Sequence, residues 1–207
     1  CIHFVNEYSE QYHLFQFWRS PLMAVADAES PAFKELKEMI GDHYLMPEDF
    51  VTDPKSVVVV FVPFVREVID SNAGGEFSSP QWDTAYDETN IMLGRLLAFM
   101  CQWLRERGYE AEGVPCTQSD EEDLLKSSWS HRHAGALAGL GTFGINNMII
   151  TSKGSAGRML SFVTTAPLAC DNPLEGELCL ARDRGTCMEC IDRCPEGSIG
   201  RKGTGYV

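Results

Sequence analysis

One run of β-branched and aromatic residues, KSVVVVFVPF at residues 55–64, strongly constrains how the chain can fold. Pro54 and Pro63 bound the run, and its apolar residues are continuous rather than alternating. Continuous apolar strands are buried on both faces, since a strand with one wet face alternates. We therefore predict a strand at the centre of a sheet. With 207 residues, 44% of them apolar, the chain can form one main domain and a small appendage.

A long helix is predicted after this strand. Ser79 and Pro80 have the N-cap and first-turn chemistry of a helix start, and Gly108 ends the pattern. The apolar residues at helical spacing are Met92, Leu93, Leu96, Leu97, Met100, Trp103 and Leu104. Residues 109–115, YEAEGVP, then predict a returning parallel strand, so that strand, helix and strand form one right-handed βαβ unit.

Other segments predict further elements of an α/β domain. An amphipathic helix is indicated near residues 33–40. Ser119 and Glu122 form a capping box for a helix that runs into HRHAGALAGLG. NMIIT and RMLSFVTTAPL, separated by the turn-forming SKGSAG, predict a β-hairpin. From Cys170 onward the sequence is rich in Cys, Gly and Pro without periodicity, which predicts an α/β domain at 1–169 and a separate segment at 170–207.

Charge and composition exclude some classes of function. The chain carries 30 acidic and 17 basic residues, a net charge of −13, whereas nucleic-acid binding needs a basic stripe, so we expect no DNA partner. No apolar run is long enough to span a bilayer, and because no basic region followed by an apolar stretch is present, we expect no targeting segment in this sequence. The start at Cys1 and the ending GRKGTGYV are typical of a trimmed chain. The pattern indicates no oligomeric state.

Four of the eight cysteines lie close together near the C-terminus. CMECIDRCP at 187–195 has the form C-x2-C-x3-C-P, the end of the bacterial ferredoxin motif C-x2-C-x2-C-x3-C-P. Arg184 stands where that motif has its first cysteine, and Cys179 is the nearest substitute upstream. The sequence therefore predicts a [4Fe–4S] cluster. Its expected ligands are Cys179, Cys187, Cys190 and Cys194.

Zinc binding, disulfide formation and incidental burial are the alternative roles for these cysteines. A structural zinc site usually pairs two C-x2-C knuckles, and one is present here. Disulfides belong to short secreted chains, whereas a chain with a sizeable core and clustered thiols fits a reducing cytoplasm. Incidental buried cysteines rarely cluster. Cys101 and Cys116 are instead predicted to be packing residues, and Cys1 and Cys170 are left unassigned.

The sequence GLGTFG at residues 139–144 matches G-x-G-x-x-G. That fingerprint binds dinucleotides when it follows a strand, opens a helix and is followed by an acid about twenty residues on. Here a helix precedes it, a strand follows, and no acid lies in the next segment, so we exclude a Rossmann site. The glycines form either a tight turn or a backbone surface against a flat cofactor. His131 and His133 lie on different sides of a helix and are expected to make local hydrogen bonds.

Residues 129–168, followed by CMECIDRCPEGSI, resemble the epoxyqueuosine reductase family, which is distantly similar to corrinoid-dependent reductive dehalogenases. The resemblance extends to SVVVVFVPF and WDTAYDETN. It implies a nitroreductase-like α/β (α+β) domain that binds a corrinoid such as cobalamin. It also implies a ferredoxin-like segment whose [4Fe–4S] clusters feed electrons to the corrinoid.

The same resemblance implies roles for individual residues. The residues expected against the corrinoid are Gly139, Gly141, Gly144 and, near its edge, Asn146. An acid upstream would donate a proton, with Asp120 the first choice and Asp123 the second. The chain departs from the family where INN replaces a lysine after the glycines, and the second cluster's cysteines are absent by residue 207.

These observations predict an iron–sulfur redox protein that passes electrons from a donor protein or a small reductant to a corrinoid and an unidentified substrate. Two alternatives stay open. One is a non-enzymatic electron-transfer protein, and the other is a structural zinc protein.

Overall fold

A computed structural model describes residues 1–114 and 127–200 and shows a mixed α/β fold. Its helices are α1 (Ile2–Gln11), α2 (Pro31–Ile40), α3 (Arg66–Ser71), α4 (Pro80–Arg105), α5 (His131–Leu137), α6 (Leu180–Arg184) and α7 (Glu189–Asp192). Its strands are β1 (Leu22–Asp27), β2 (Ser56–Pro63), β3 (Ala111–Gly113), β4 (Gly141–Phe143), β5 (Ile149–Thr151) and β6 (Gly157–Thr164). The main sheet has the order β1-β2-β6-β3, and β4 pairs with β5 in a separate ribbon.

Strand β2 lies inside the main sheet, as its continuous apolar sequence predicts. All eight of its residues are buried, and it pairs antiparallel with β1 on one side and β6 on the other. Val57, Val59 and Phe61 face a layer that contains α2 and α5. Val60 and Val62 face the opposite layer, which contains α1 and α4. The sheet is therefore covered on both faces.

Helix α4 begins as the sequence predicts. The Ser79 hydroxyl accepts a hydrogen bond from the Trp82 amide at 3.1 Å, and Pro80 occupies the first turn. Met92, Leu93 and Leu96 are fully buried against the sheet. The predicted helix near residues 33–40 is also confirmed as α2, whose Phe33 is fully buried. No helix among residues 1–114 and 127–200 combines the length and the apolar character needed to cross a membrane.

The predicted strand after α4 is present, but its pairing differs from the prediction. Strand β3 pairs antiparallel with β6, which also pairs antiparallel with β2. Strands β2 and β3 are therefore parallel in direction, with β6 between them. The intervening strand is supplied by a segment about fifty residues downstream, and a local pattern cannot predict such a long-range insertion.

The predicted β-hairpin between NMIIT and RMLSFVTTAPL is wrong. Strand β5 pairs with β4 in the glycine-rich run, and β6 joins the main sheet. Strand β6 is eight residues long with five buried residues at its end, so it needs partners on both sides inside the core. From the sequence, the segment that forms the short strand β4 is expected to be a turn, because two of the residues at 139–141 are glycines.

The predicted continuous helix from Ser119 into HRHAGALAGLG is also wrong where the structure describes it. Residues 127–130 are not helical, and α5 begins at His131 with Ser130 as its N-cap. The Ser130 hydroxyl accepts a hydrogen bond from the His133 amide at 3.3 Å, and this bond caps the start of α5. The capping box itself, Ser119 and Glu122, lies outside the described residues.

Candidate functional site

Protein atoms fill the space beside each glycine of the run at 139–144. Gly139 has a φ of +72°, and a Cβ there would collide with the carbonyl oxygen of Asn172. A Cβ on Gly141 would collide with the carbonyl oxygen of Ile150 across the β4–β5 ribbon. These two glycines are thus required by the packing of the chain itself. Contact between them and a cofactor stays a prediction.

Gly144, at the end of the glycine run, also lies against other atoms of the protein. A Cβ on Gly144 would lie 2.7 Å from Asn146 Oδ1, and Asn146 Oδ1 accepts a hydrogen bond from the Met148 amide at 3.1 Å. Asn146 therefore stabilises the turn between β4 and β5. Its predicted position at the edge of a corrinoid is not tested by this contact.

The glycine run is also the surface on which residues 172–179 lie. Besides the close approach of Gly139 to Asn172, the Thr142 hydroxyl accepts a hydrogen bond from the Leu178 amide at 2.9 Å. The backbone amide of Ile145 donates a hydrogen bond to the Cys179 sulfur. The run therefore fixes the position of Cys179, the first of the four predicted cluster ligands.

Cys190 lies close enough to Cys179 and to Cys187 for their charges to act on its thiol. Burial raises the pKa of the Cys190 thiol, and the charges of Cys179 and Cys187 raise it further. Burial also acts to raise the pKa of Cys179, but hydrogen bonds from the backbone amides of Ile145, Arg182 and Ala181 outweigh it and lower the pKa. Negative charge on Cys179 or Cys187 thus opposes deprotonation of Cys190, and a cation placed among them would remove that repulsion.

Cys194 has different partners. Its sulfur lies 3.3 Å from the Ser198 hydroxyl, and this hydrogen bond with nearby backbone amides lowers the pKa of the Cys194 thiol to about 7. The other predicted ligands are not among the groups that shift it. Within residues 1–114 and 127–200, no three Cys, His, Asp or Glu side chains are placed to hold one metal ion. The four thiols are near neighbours in the chain but not a formed ligand set.

The remaining cysteines differ from these four. Cys101 is buried in α4, and burial raises the pKa of its thiol to about 11, which agrees with its predicted packing role. Cys170 is exposed, and Cys1 is half-buried. Cys116 lies outside the described residues, as do Asp120 and Asp123, the two acids predicted to donate a proton.

A cavity of about 660 Å³ opens beside α5 on the α2 side of the sheet. A volume of this size is typical of sites for small organic molecules. The lining residues are Ile40, His43, Tyr44, Phe61, Ser127, Trp129, Ser130, His131, Arg132, His133, Met148, Ile149, Ser155, Gly157, Arg158 and Met159. Among the described residues that line it there are two arginines, three histidines and no carboxylate. Gly139, Gly141, Gly144 and Asn146 are not part of the lining.

The two histidines of SHRH make the local hydrogen bonds that the sequence predicts. His131 Nδ1 lies 2.7 Å from the Ser161 hydroxyl, and His133 Nδ1 lies 2.7 Å from the Ser130 hydroxyl. The Trp129 indole also donates to Ser161, at 2.8 Å. These bonds hold the start of α5 against β6 and fix the rings at the cavity wall.

Two buried residues that line this cavity carry polar side-chain atoms. His133 Nε2 has no hydrogen-bond partner among the described residues, whereas Tyr44 Oη has the Ser130 backbone beside it. His133 is 7% exposed and Tyr44 is 1% exposed. Burial lowers the pKa of His133 to about 4, helped by the charge of Arg132, and burial raises the pKa of Tyr44 to about 12. Both side chains are therefore neutral near pH 7. No sequence pattern indicates a role for Tyr44.

The low pKa of His133 predicts that the protein loses stability in mild acid. In the unfolded chain this histidine has a pKa of 6.5, so between pH 6.5 and 4 only the unfolded state takes up the proton. The free energy of unfolding should fall by up to about 3 kcal/mol as the pH decreases through that range. Urea titrations of the wild type and of His133→Gln at several pH values measure the effect. A wild-type slope that His133→Gln fully retains would contradict the assignment to His133.

Comparison with solved structures identifies the fold. An epoxyqueuosine reductase bound to an epoxyqueuosine-modified tRNA-Tyr stem loop is 18% identical over 94% of this chain and 52% of that chain, with a TM-score of 0.56. Epoxyqueuosine reductase from Streptococcus thermophilus is 14% identical over 97% and 54%, also with a TM-score of 0.56. A reductive dehalogenase, whose structure suggests a mechanism for B12-dependent dehalogenation, is 17% identical over 86% and 23%, with a TM-score of 0.60.

The resemblance drawn from residues 129–199 is thus confirmed for the fold. The chain spans about half the length of these epoxyqueuosine reductases and about a quarter of the dehalogenase. No protein-family model matches the chain, and no curated protein matches its sequence.

Proposed function

We propose that this chain is an iron–sulfur redox protein resembling epoxyqueuosine reductase, with a nitroreductase-like domain and a ferredoxin-like segment from residue 170. The observation that carries the proposal is that Cys179 and Cys187 lie close enough to Cys190 to raise the pKa of its thiol, in a segment that ends in Cys-Pro. The shared fold with epoxyqueuosine reductases and a B12-dependent dehalogenase supports it. Electrons would come from a donor protein or a small reductant, in a reducing compartment such as the cytoplasm.

The donor set fits a [4Fe–4S] cluster in its chemistry. Thiolates are the ligands of such clusters, and these four sulfurs lie within sixteen consecutive residues of the chain, 179–194. When bound, the cluster supplies one-electron transfer. The chain itself supplies amide hydrogen bonds to sulfur at Cys179 and Cys194, which stabilise negative charge there. Cys194 would hold the cluster only after turning away from Ser198.

The corrinoid is a separate part of the proposal, and packing of the chain itself already accounts for two of the glycines expected against it. Carbonyl oxygens of Asn172 and Ile150 already occupy the space beside Gly139 and Gly141. A corrinoid held by this domain rests on the similarity of fold alone. The cavity of about 660 Å³ beside α5 favours a reductase over a protein that only transfers electrons, because electron transfer alone needs no such cavity.

Anaerobic reconstitution with iron and sulfide tests the proposal. The full chain should become brown and contain about four irons and four sulfides per molecule, because four thiolates complete one cluster. Metal analysis and electron paramagnetic resonance of the dithionite-reduced protein measure this. Stoichiometric zinc bound in preference to iron would show the structural zinc protein instead.

A further inference from the structure

Helix α4 carries apolar residues on its exposed side as well as on the side that covers the sheet. Ile91, Phe99 and Trp103 are 49%, 46% and 47% exposed. They lie on one ridge of the helix, because eight and four positions separate them. Gly94 and Ala98 are also exposed and lie beside that ridge. A contiguous apolar patch on a protein surface marks a site where another molecule docks.

Gly94 lies near the centre of this patch, in the interior of a helix of 26 residues. Glycine in a helix interior is less stable than alanine, because its backbone loses more freedom on folding. Packing among the described residues does not require it, since a Cβ at this position would meet none of their atoms within 4 Å. Together with Ala98, Gly94 leaves room for another backbone to approach α4 closely.

Helix α1 packs beside the patch and extends it. Phe4 stacks on Phe99, with ring centroids 5.5 Å apart and 28° between the planes. The Arg95 guanidinium lies 4.4 Å from the centre of the Tyr12 ring, which holds the end of α1 against α4. Ile2 and Tyr12 are themselves exposed. The two helices therefore present one joint surface of apolar and aromatic side chains.

The size of this surface fits a reversible contact between proteins. At 1.5 Å per residue and a width of about 10 Å for each helix, α1 and α4 offer roughly 500 Å² per chain. A specific interface needs about 1,000 Å² in total over both partners, and permanent ones are larger. We therefore expect a complex that forms and dissociates with concentration.

The charges on the exposed side of α4 are divided between its two halves. The exposed charged residues within Pro80–Arg105 are Asp83, Asp87, Arg95 and Arg105. The N-terminal half is thus acidic and the C-terminal half is basic. When a second copy of the same helix lies antiparallel on the first, each acidic half meets a basic half. The patch is complementary to itself in charge.

We propose that this face of α4 is the contact surface of a homodimer, in which two copies of the chain pack their α4 helices antiparallel about a two-fold axis at the level of residue 96. Gly94 of one copy then lies opposite Ala98 of the other, since both are two positions from the axis. Asp87 lies opposite Arg105 of the other copy, because both are nine positions away. A two-fold axis makes every such contact twice. The proposal goes beyond the redox function and does not depend on the cysteines.

Sedimentation velocity of the full chain tests the proposal, with a reducing agent present because the exposed thiol of Cys170 can link two copies covalently. The protein should change from monomer to dimer between about 1 and about 200 µM, the range expected of an interface of this size. A wild type that stays monomeric at the highest concentration would overturn the proposal.

Gly94→Gln separates a docking role from a folding role. Glutamine is a better helix former than glycine, and its side chain points into open space in the monomer, so the melting temperature at low concentration should stay the same or rise. In the dimer the same side chain blocks the close approach of the helices, so dimerisation should weaken at least about ten-fold. Undiminished dimerisation of Gly94→Gln would contradict the assignment of this face.

Met39→Gln is the matched control for that variant. Met39 is an exposed apolar residue of α2, which lies on the opposite face of the sheet from α4. Its replacement removes a similar amount of exposed apolar surface and should leave dimerisation unchanged. A loss of dimer equal to that of Gly94→Gln would place the contact outside α4 and overturn the proposal.

Charge reversal tests the antiparallel arrangement itself. Asp87→Lys and Arg105→Glu should each dimerise more weakly than the wild type, because each places like charges opposite one another twice. An equal mixture of the two variants should form the mixed dimer about ten-fold in excess, because both contacts then join opposite charges. Native mass spectrometry of the mixture measures the proportions.

The mixture also controls for effects of Arg105→Glu on the fold. That variant loses the hydrogen bond from Arg105 to the Ala111 carbonyl at 2.6 Å, but it loses it in both kinds of dimer. A mixed dimer at only its statistical share would overturn the antiparallel register. Sedimentation of the wild type with phosphatidylcholine vesicles, in place of dimerisation, would assign the face to a membrane surface and overturn the proposal as well.

Discussion

The Cys187→Ser variant is expected to lose its [4Fe–4S] cluster after anaerobic reconstitution. Serine is a poor ligand for such a cluster, and Cys187 is one of the two thiols that lie close enough to Cys190 to raise its pKa. Iron and sulfide should fall from about four of each per molecule to near zero. Iron and sulfide analysis, with the visible absorption of the anaerobic protein, measures the loss. Full iron content in Cys187→Ser would contradict the proposed ligand set.

Two further serine variants make this experiment specific. Cys170→Ser is the matched control, because Cys170 is an exposed free thiol outside the predicted ligand set, and the iron content of this variant should equal that of the wild type. Cys194→Ser should lose less iron than Cys187→Ser, since the Cys194 thiol contacts Ser198 rather than the other three. In ferredoxins with two clusters the Cys-Pro thiol binds the other cluster, which agrees with this separation.

The sequence predicts those elements whose evidence is local. The buried run of β2 and the Ser79-Pro80 start of α4 determine their own structure, because burial on both faces and helix capping act within a few residues. The fold is also similar to that of the epoxyqueuosine reductases, which residues 129–199 resemble in sequence. Strand pairing was not predictable in the same way. The partner of β6 is decided by which strands reach it from distant parts of the chain, and no pattern within 147–168 contains that information.

The candidate cavity shows the same limit. The SHRH sequence indicates His131 and His133 as polar residues of interest, and their local hydrogen bonds are confirmed. What the sequence does not reveal is that His133, whose Nε2 has no partner in the described structure, and Tyr44 line the same cavity. That juxtaposition depends on the packing of residues 41–50 against the start of α5, where the Leu45 amide donates to the Ser128 carbonyl at 2.7 Å.

The glycine run illustrates how one pattern is compatible with two roles that only packing can separate. A glycine that contacts a cofactor and a glycine that contacts another part of the chain look identical in sequence. In the structure a Cβ on Gly141 meets the Ile150 carbonyl. A larger residue at 141 would therefore damage the β4–β5 ribbon whether or not a cofactor binds. Loss of cofactor binding in such a variant would not show that Gly141 contacts the cofactor.

Gly139 offers a cleaner experiment, and Gly139→Ala is expected to destabilise the protein by about 3 kcal/mol or more. The positive φ alone costs about 1 kcal/mol for alanine, and the collision of its Cβ with the Asn172 carbonyl adds the rest, because backbone must move to relieve it. Gly154→Ala is the matched control. Gly154 has a φ of +88°, yet its Cβ would meet nothing within 4 Å, so only the cost of about 1 kcal/mol applies.

The two glycine variants also test whether the run positions the cluster segment. Displacement of Asn172 by an alanine at 139 would shift the segment that carries Leu178 and Cys179, and would weaken the hydrogen bond from the Ile145 amide to the Cys179 sulfur. Gly139→Ala should therefore take up less iron than the wild type in anaerobic reconstitution, and Gly154→Ala should take up the same amount. Urea midpoints and iron content are measured on the same samples. If the two variants lose equal stability and equal iron, the cost lies in the positive φ alone, and the glycine run does not hold the cysteine segment in place.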